Sequence, residues 1–118
     1  MAEADALRRA RRPAEAIELL SGFVESGDRR ASLAAFTLGK MYAEDLRDPA
    51  RAARSFERAM ALGLPGGLDE EAQARAVECF AKAGANDETA RAAARYEARF
   101  PGGRHLDRVR EWNGASSR

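Results

Sequence analysis

The chain has 118 residues, enough for one domain with one modest hydrophobic core. Alanine supplies 27 residues and arginine 18, while β-branched residues are few, so the composition excludes a sheet-dominated fold. The net charge of +1 argues against binding nucleic acid through bulk positive charge, and the single cysteine excludes an internal disulfide. No apolar run has the length of a membrane span.

Proline, glycine and aspartate residues divide the chain into seven predicted helices. Each segment carries apolar residues at helical spacing, and none alternates with a period of two residues. Asp48 before Pro49 is the strongest boundary, because aspartate caps free N–H groups and proline has no N–H to leave unpaired in a first turn. Short linkers predict that successive helices are antiparallel. The predicted helices span residues 2–11, 13–25, 29–45, 49–62, 69–83, 87–100 and 103–113.

Two successive segments carry small and aromatic residues at fixed spacing: Leu38, Gly39 and Tyr42 in the first, Ala52, Phe56 and Ala59 in the second, and Pro65 after them. Over residues 33–65 this pattern resembles a tetratricopeptide repeat, which is a pair of antiparallel helices. We expect Gly39 and Ala52 to let the helices approach closely, with Tyr42 and Phe56 filling the space on either side. The loop between the helices is one residue longer than the family consensus.

Weaker copies of this pattern precede and follow the clear one. Residues 13–20 resemble the second helix of a repeat, with Ala16 in the place of Ala52. The third copy depends on small or branched residues at corresponding positions: Val77, Ala81, Ala90 and Ala94. The resemblance therefore implies an all-α, right-handed α-solenoid of about two and a half repeats.

A short terminal helix follows Phe100-Pro-Gly-Gly and carries Leu106, Val109 and Trp112 on one side. Such a helix would cover the last apolar face of a solenoid. This ending resembles a tetratricopeptide subtype of bacterial cell-envelope assembly proteins and of membrane-linked anti-sigma-type regulators. The composition suggests a GC-rich bacterial source. We expect a repeat domain over residues 1–113 and a disordered tail over residues 114–118.

Few side chains in the sequence suit catalysis. His105 is the only histidine and is expected on the surface, and Cys79 has no nearby base and is expected to pack. The acidic run 69–71 is interpreted as the first turn of a helix, where carboxylates favour the positive end of the helix dipole. The phosphate-loop lysine and the calcium-loop pattern are both missing from the sequence. We therefore expect no enzyme activity, no cofactor and no metal.

In the tetratricopeptide family the first helix of each pair lines a concave groove. The resemblance places eight residues of this chain there: Arg8, Leu33, Phe36, Lys40, Glu44, Arg75, Cys79 and Lys82. Basic residues outnumber acidic ones in this set, which implies a net-basic groove for a protein or peptide partner that carries acidic residues. Phe36 is expected either to anchor the partner or to pack against a neighbouring helix.

The leading functional hypothesis is a non-catalytic scaffold or adaptor module within a larger bacterial protein. One alternative is a structural unit that self-associates as a homodimer, and another is the regulatory C-terminal domain of an anti-sigma-type protein. The basic cluster at residues 8–12 could contact phosphate, but flanking acidic residues favour a solvated helix end, so neither nucleic-acid binding nor membrane insertion is expected. The compartment would be the cytoplasm if the chain is complete, and the periplasm or cell envelope if it was cut from an anchored protein.

Overall fold

In the computed structural model, residues 2–9 and 12–116 are described, and every regular element among them is an α-helix, as predicted. The seven helices begin and end close to the predicted bounds. They are α1 (Ala2–Arg9), α2 (Pro13–Glu25), α3 (Ala31–Glu44), α4 (Pro49–Leu62), α5 (Leu68–Lys82), α6 (Asn86–Arg99) and α7 (Leu106–Ser116).

Helix α7 differs most from its prediction. It begins at Leu106 because residues 101–105 form turns, and it continues to Ser116. Residues 114–116, which were expected in a disordered tail, therefore belong to the helix. Residues 117–118 of that tail lie outside the described residues.

The boundary at Asp48 and Pro49 forms as the sequence predicts. The Arg51 backbone N–H donates to Asp48 Oδ1 at 3.2 Å, and Pro49 is the first residue of α4. The helix ends before Gly63, which has a φ of +93° that other residues rarely adopt. Local backbone chemistry therefore fixes both ends of α4.

The close approach of α3 and α4 at Gly39 is confirmed. A Cβ atom on Gly39 would lie 2.7 Å from Cε1 of Phe56, so only glycine fits against this ring. Phe56 and Ala52 are both fully buried, whereas Tyr42 is half-buried. The helix pair with the clearest sequence signature thus has the packing that the signature implies.

The effect of Gly39→Ala on stability should depend on whether the Phe56 ring is present, because the two residues are in contact. In the wild-type protein we expect the substitution to be destabilising, because the buried ring has little room to withdraw. In a Phe56→Ala background it should stabilise by up to about 1 kcal/mol, since alanine is the better helix former. Urea unfolding of the four proteins in this double-mutant cycle measures the coupling.

Gly22 provides the control for this cycle, because it lies in α2 and a Cβ atom added to it would meet nothing within 4 Å. Gly22→Ala should stabilise by a similar amount in both backgrounds. If Gly39→Ala had the same sign in both backgrounds, the proposed steric conflict with Phe56 would be wrong.

The three predicted repeats differ in how well their registers agree with the structure. Ala16 in α2 and Ala52 in α4 follow the initial proline of each helix by the same number of residues, and both are fully buried. In α6, however, Ala90 and Ala94 are exposed, so their assignment to the buried positions was wrong. The buried stripe of α6 has helical spacing and consists of Thr89, Ala92, Ala93 and Tyr96.

Successive helices in the chain pack against one another, and α7 packs against both α5 and α6. The described part of the chain measures about 39 × 26 × 20 Å along its principal axes. None of the described helices combines the length and apolar character that crossing a membrane requires. The side of the fold where α3, α5 and α7 meet contains the candidate site.

Candidate functional site

Two adjoining hollows border α3 and α5: one of about 360 Å³ is closed by α7, and one of about 330 Å³ is closed by the start of α4. Both are bordered by Ala43, Glu78 and Lys82, so they lie side by side, and together we call them the groove. The first hollow is further lined by Glu44, Glu71, Ala74, Arg75, His105, Arg108 and Trp112. The second hollow is further lined by Arg47, Pro49 and Cys79.

A chain of ion pairs connects α1, α3 and α5 along the groove. Arg8 Nη2 lies 3.0 Å from Glu44 Oε2, and the other oxygen of Glu44 lies 3.5 Å from Arg75 Nη1. Arg75 also pairs with Glu71, one helical turn earlier, and Arg8 pairs with Asp45 at 2.7 Å. The structure therefore brings together three of the residues that the sequence assigns to the groove, namely Arg8, Glu44 and Arg75.

These ion pairs change the charge expected of the groove. Arg8 and Arg75 each have carboxylate partners, and Lys82 Nζ lies 3.4 Å from Glu78 Oε2. Within the described residues, Arg47 and Arg108 line the groove without a carboxylate at ion-pair distance. The positive charge that remains without a carboxylate partner is therefore on Arg47 and Arg108, which are not among the eight groove residues predicted from the sequence.

Phe36 packs inside the fold. Its side chain is buried and meets the ring of Phe56 edge-on, with 5.4 Å between the ring centroids. Lys40 Nζ lies 5.4 Å from the Phe36 ring, and Leu33 is half-buried. Of the two alternatives for Phe36, the structure has the packed one. None of these three residues borders either hollow of the groove.

Cys79 borders the second hollow, but the residue is only 4% exposed. Burial raises the pKa of the Cys79 thiol to about 11, and the nearby Glu78 carboxylate adds to the effect. The expectation that this cysteine packs is thus confirmed, and it offers little surface to a partner.

We expect native Cys79 to react slowly with a disulfide reagent such as Ellman's reagent at pH 8. Because the thiolate is the reactive form, its raised pKa should slow labelling by about two orders of magnitude relative to the protein in 8 M urea. Similar rates in the native and unfolded proteins would contradict the buried position of this thiol.

A partly buried polar cluster, which was not predicted from the sequence, connects α5 and α6 to the turn before α7. Glu70 Oε2 accepts hydrogen bonds from Tyr96 Oη at 2.7 Å and from the Arg104 backbone N–H at 3.0 Å. Tyr96 Oη in turn accepts from the His105 backbone N–H at 2.8 Å. We call this group the Tyr96 cluster. The Tyr96 hydrogen bond holds the pKa of Glu70 below its ordinary value.

The acidic run at the start of α5 has more than the expected helix-end role. All three carboxylates lie in the first turn, but none caps the helix through its side chain. Asp69 pairs with Arg99, Glu70 belongs to the Tyr96 cluster, and Glu71 pairs with Arg75. Asp69 and Glu70 therefore connect α5 to α6 and to the turn before α7, whereas Glu71 borders the groove.

His105 is half-buried, so its assignment to the surface was wrong. The bond from its backbone N–H to Tyr96 draws it towards the interior, and it lines the first hollow of the groove. Its Nε2 atom is buried and has no hydrogen-bond partner among the described residues. A contact with Tyr96, at 6.5 Å between ring centroids, holds the imidazole against the Tyr96 cluster.

Tyr96 should give the protein a specific alkaline sensitivity. Burial raises the pKa of Tyr96 to about 12, and the bond to Glu70 contributes to the shift. An unfolded tyrosine ionises near pH 10, so the unfolded chain loses this proton first and the stabilisation falls as pH rises from about 10 to 12. Tyr96→Phe should cost about 1–3 kcal/mol at pH 7, because it leaves the half-buried Glu70 carboxylate and the His105 backbone N–H without this partner.

The difference in unfolding free energy between wild type and Tyr96→Phe should therefore shrink between pH 10 and 12. Denaturant unfolding across pH 7–12 measures it, and the contribution of Cys79 to the pH dependence is common to both proteins. A difference that stayed constant over this range would show that Tyr96 ionises equally easily in the folded and unfolded states.

An open cavity of about 710 Å³ lies between α1 and the end of α3. It is lined by Asp5, Arg8, Arg9, Pro13 and Asp45. In the basic cluster at residues 8–12, Arg8 is paired as described above and Arg12 pairs with Glu15. Arg11 lies outside the described residues. Arg12 is exposed and pairs with a flanking residue, as the interpretation of a solvated helix end requires, whereas Arg8 is half-buried and joins α1 to the end of α3.

Comparison of the chain with protein-family models, curated proteins and solved structures found no match. Within the described residues, no group of three or more histidine, cysteine or acidic side chains is placed to hold a metal ion. The function is therefore inferred from the groove and the residues around it.

Proposed function

We propose that this chain is a non-catalytic protein-interaction module that holds a segment of another protein in the groove. The observation that carries this proposal is that the two hollows lie side by side and share Ala43, Glu78 and Lys82. A depression bordered by several helices, with polar walls and small side chains such as Ala43 and Ala74, suits a helix or an extended chain.

The proposal includes a solenoid of three helix pairs, α1–α2, α3–α4 and α5–α6, closed by α7. The packing of each helix on the next supports this arrangement, and so does the matching burial of Ala16 and Ala52. Exposed charged residues on α7, among them Asp107 and Arg110, suit a terminal helix with one face in water. In such a stack the groove would follow the first helices of the pairs, as in tetratricopeptide repeats.

The state of Cys79 supports a role without catalysis. A thiol with a pKa of about 11 exists almost entirely in its unreactive protonated form at neutral pH. The acidic residues at the start of α5 have structural partners, as described for Asp69 and Glu70. Binding, by contrast, requires only the shape and charge of the groove.

The proposal can be tested by selecting peptides from a random display library on the full chain. We expect the selected peptides to lose binding to Ala43→Tyr, because Ala43 borders both hollows and a larger side chain would fill them. Ala61→Tyr is the matched control, since Ala61 is exposed on α4 and borders neither hollow. Peptides that bind both variants equally well would refute a binding groove at this place.

Self-association is a second candidate, favoured by the exposure of two leucines. Leu46, before α4, is 42% exposed and Leu62 is 37% exposed, and these are the large apolar side chains most accessible within the described residues. Light scattering during size-exclusion chromatography would detect a dimer. A dimer that Leu46→Ser and Leu62→Ser convert to a monomer would support this candidate, whereas a monomeric wild type would exclude it at the concentrations tested.

A further inference from the structure

We propose that Arg47 and Arg108 are the groove residues that recognise the partner, and that they do so by binding carboxylates of an acidic segment. This inference rests on the proposed function, because it assumes that the groove holds a segment of another protein. It assigns partner recognition to two residues outside the set that the family resemblance implies.

The other cations of the groove are already neutralised. Arg75 lies between the carboxylates of Glu44 and Glu71, and Lys82 pairs with Glu78. A partner carboxylate approaching Arg75 or Lys82 would have to displace one of these groups or accept its repulsion. The exchange of one ion pair for another gives little net attraction. These cations therefore maintain the groove, and they contribute little to the choice of partner.

Arg47 reaches the groove from the short loop of residues 45–48 between α3 and α4. Its φ of +49° lies in the left-handed region, and it is the only residue other than glycine with a positive φ in the described part of the chain. This conformation lies in the turn that ends α3, where the Leu46 and Asp48 backbone N–H groups donate to the carbonyl oxygens of Met41 and Tyr42. The exposed Arg47 side chain borders the second hollow and has no carboxylate partner within the described residues.

Arg108 borders the first hollow from α7. Its guanidinium group lies 5.2 Å from the ring of Trp112, which also lines this hollow. Stacking on an aromatic face restrains a guanidinium group while leaving its N–H groups at the edge free to bind a carboxylate with two hydrogen bonds. Arg108 is exposed and, like Arg47, forms no ion pair with a described residue.

The two arginines border different hollows of the same groove, and the small side chain of Ala43 lies where the hollows meet. This arrangement suits a segment with acidic residues at two separated points and small or apolar residues between them. Charge complementarity thus favours an acidic segment over a neutral or basic one.

The test uses two fluorescein-labelled peptides of equal length, one built from Glu and Ala and the other from Gln and Ala. Fluorescence anisotropy with the full chain should show tighter binding of the Glu peptide, with a preference that weakens as salt is added. Arg47→Gln and Arg108→Gln should each weaken binding of the Glu peptide by about fivefold or more and leave binding of the Gln peptide unchanged.

Arg54→Gln and Arg58→Gln are the matched controls. Both arginines are exposed on α4, form no ion pair with a described residue, and border a separate hollow between α2, α3 and α4. Each control removes the same charge and should leave both peptides bound as in the wild type. If the controls weakened the Glu peptide as much as Arg47→Gln and Arg108→Gln do, general charge attraction would replace the proposed recognition.

A wild-type protein that binds the two peptides equally, or binds neither, would also overturn this inference. Peptides selected by display separate this failure from failure of the proposed function. One outcome is that selected peptides lose binding to Ala43→Tyr and still bind Arg47→Gln and Arg108→Gln as tightly as they bind the wild type. That result would support the groove as the binding site and show that the two arginines do not recognise the partner. Selected peptides that bind Ala43→Tyr as tightly as the wild type would show that the groove is not the binding site.

Discussion

Replacing Phe56 with alanine should lower the free energy of unfolding by about 3–5 kcal/mol, because it empties the centre of the core. The ring is fully buried and fits against Gly39 of the preceding helix. It also meets Phe36 edge-on and lies 5.8 Å from the guanidinium group of Arg75. Native domains are stable by only about 5–15 kcal/mol, so this loss would be a large part of the total.

Urea unfolding followed by circular dichroism measures this effect, with Phe23→Ala as the control. Phe23 is half-buried near the end of α2 and has Arg30 at 5.1 Å from its ring, so truncating it should cost much less. The Phe56→Ala protein should also bind peptides less well, because Arg75 contacts the ring from the groove side. A loss of stability under about 1 kcal/mol would show that α3 and α4 collapse into the space without penalty.

The helices could be predicted from the sequence because their ends depend on local chemistry. Asp48, Pro49 and Gly63 determine the limits of α4 through backbone hydrogen bonding and allowed φ values, which require no knowledge of distant residues. The crossing at Gly39 could also be predicted, because Gly39 and Ala52 have small side chains where the resemblance to a tetratricopeptide repeat places the helix crossing.

The buried face of α6 could not be predicted in the same way. Alanines occupy both sides of this helix: Ala90 and Ala94 are exposed, whereas Ala92 and Ala93 are buried. The spacing of the alanines therefore does not show which face of α6 is buried. The large side chain of Tyr96 determines which face turns inward, and its partners come from α5 and from the turn before α7.

Only some of the ion pairs that determine the charge of the groove could be predicted from the sequence. The pairs of Glu71 with Arg75 and of Glu78 with Lys82 have the spacing of one helical turn and could have been found by counting residues. The pair of Arg8 with Glu44 joins residues far apart in the chain, so it depends on how α1 packs. A prediction that counts basic residues alone therefore exaggerates the positive charge of such a groove.

Gly103→Ala should lower stability by about 1–3 kcal/mol and displace α7. A Cβ atom at this position would overlap Tyr96 Oη and would lie 2.8 Å from Glu70 Oε2 and 2.9 Å from Phe100 Cβ. Tyr96 is fully buried and cannot withdraw without breaking its hydrogen bonds in the Tyr96 cluster. Because these bonds hold the start of α7, the helix that contributes Arg108 and Trp112 to the groove should move.

The adjacent Gly102 is a matched control, because a Cβ there meets nothing within 4 Å and its backbone conformation suits alanine. Gly102→Ala should change stability by no more than about 0.5 kcal/mol.

Trp112, the only tryptophan of the chain, reports the position of α7 through its emission maximum and its quenching by acrylamide. Gly103→Ala should shift emission to the red and increase quenching, with no such change in Gly102→Ala. Equal stability losses in both variants would indicate a general cost of stiffening the turn, whereas a stability loss in Gly103→Ala without a change at Trp112 would show that the Tyr96 cluster does not set the position of α7.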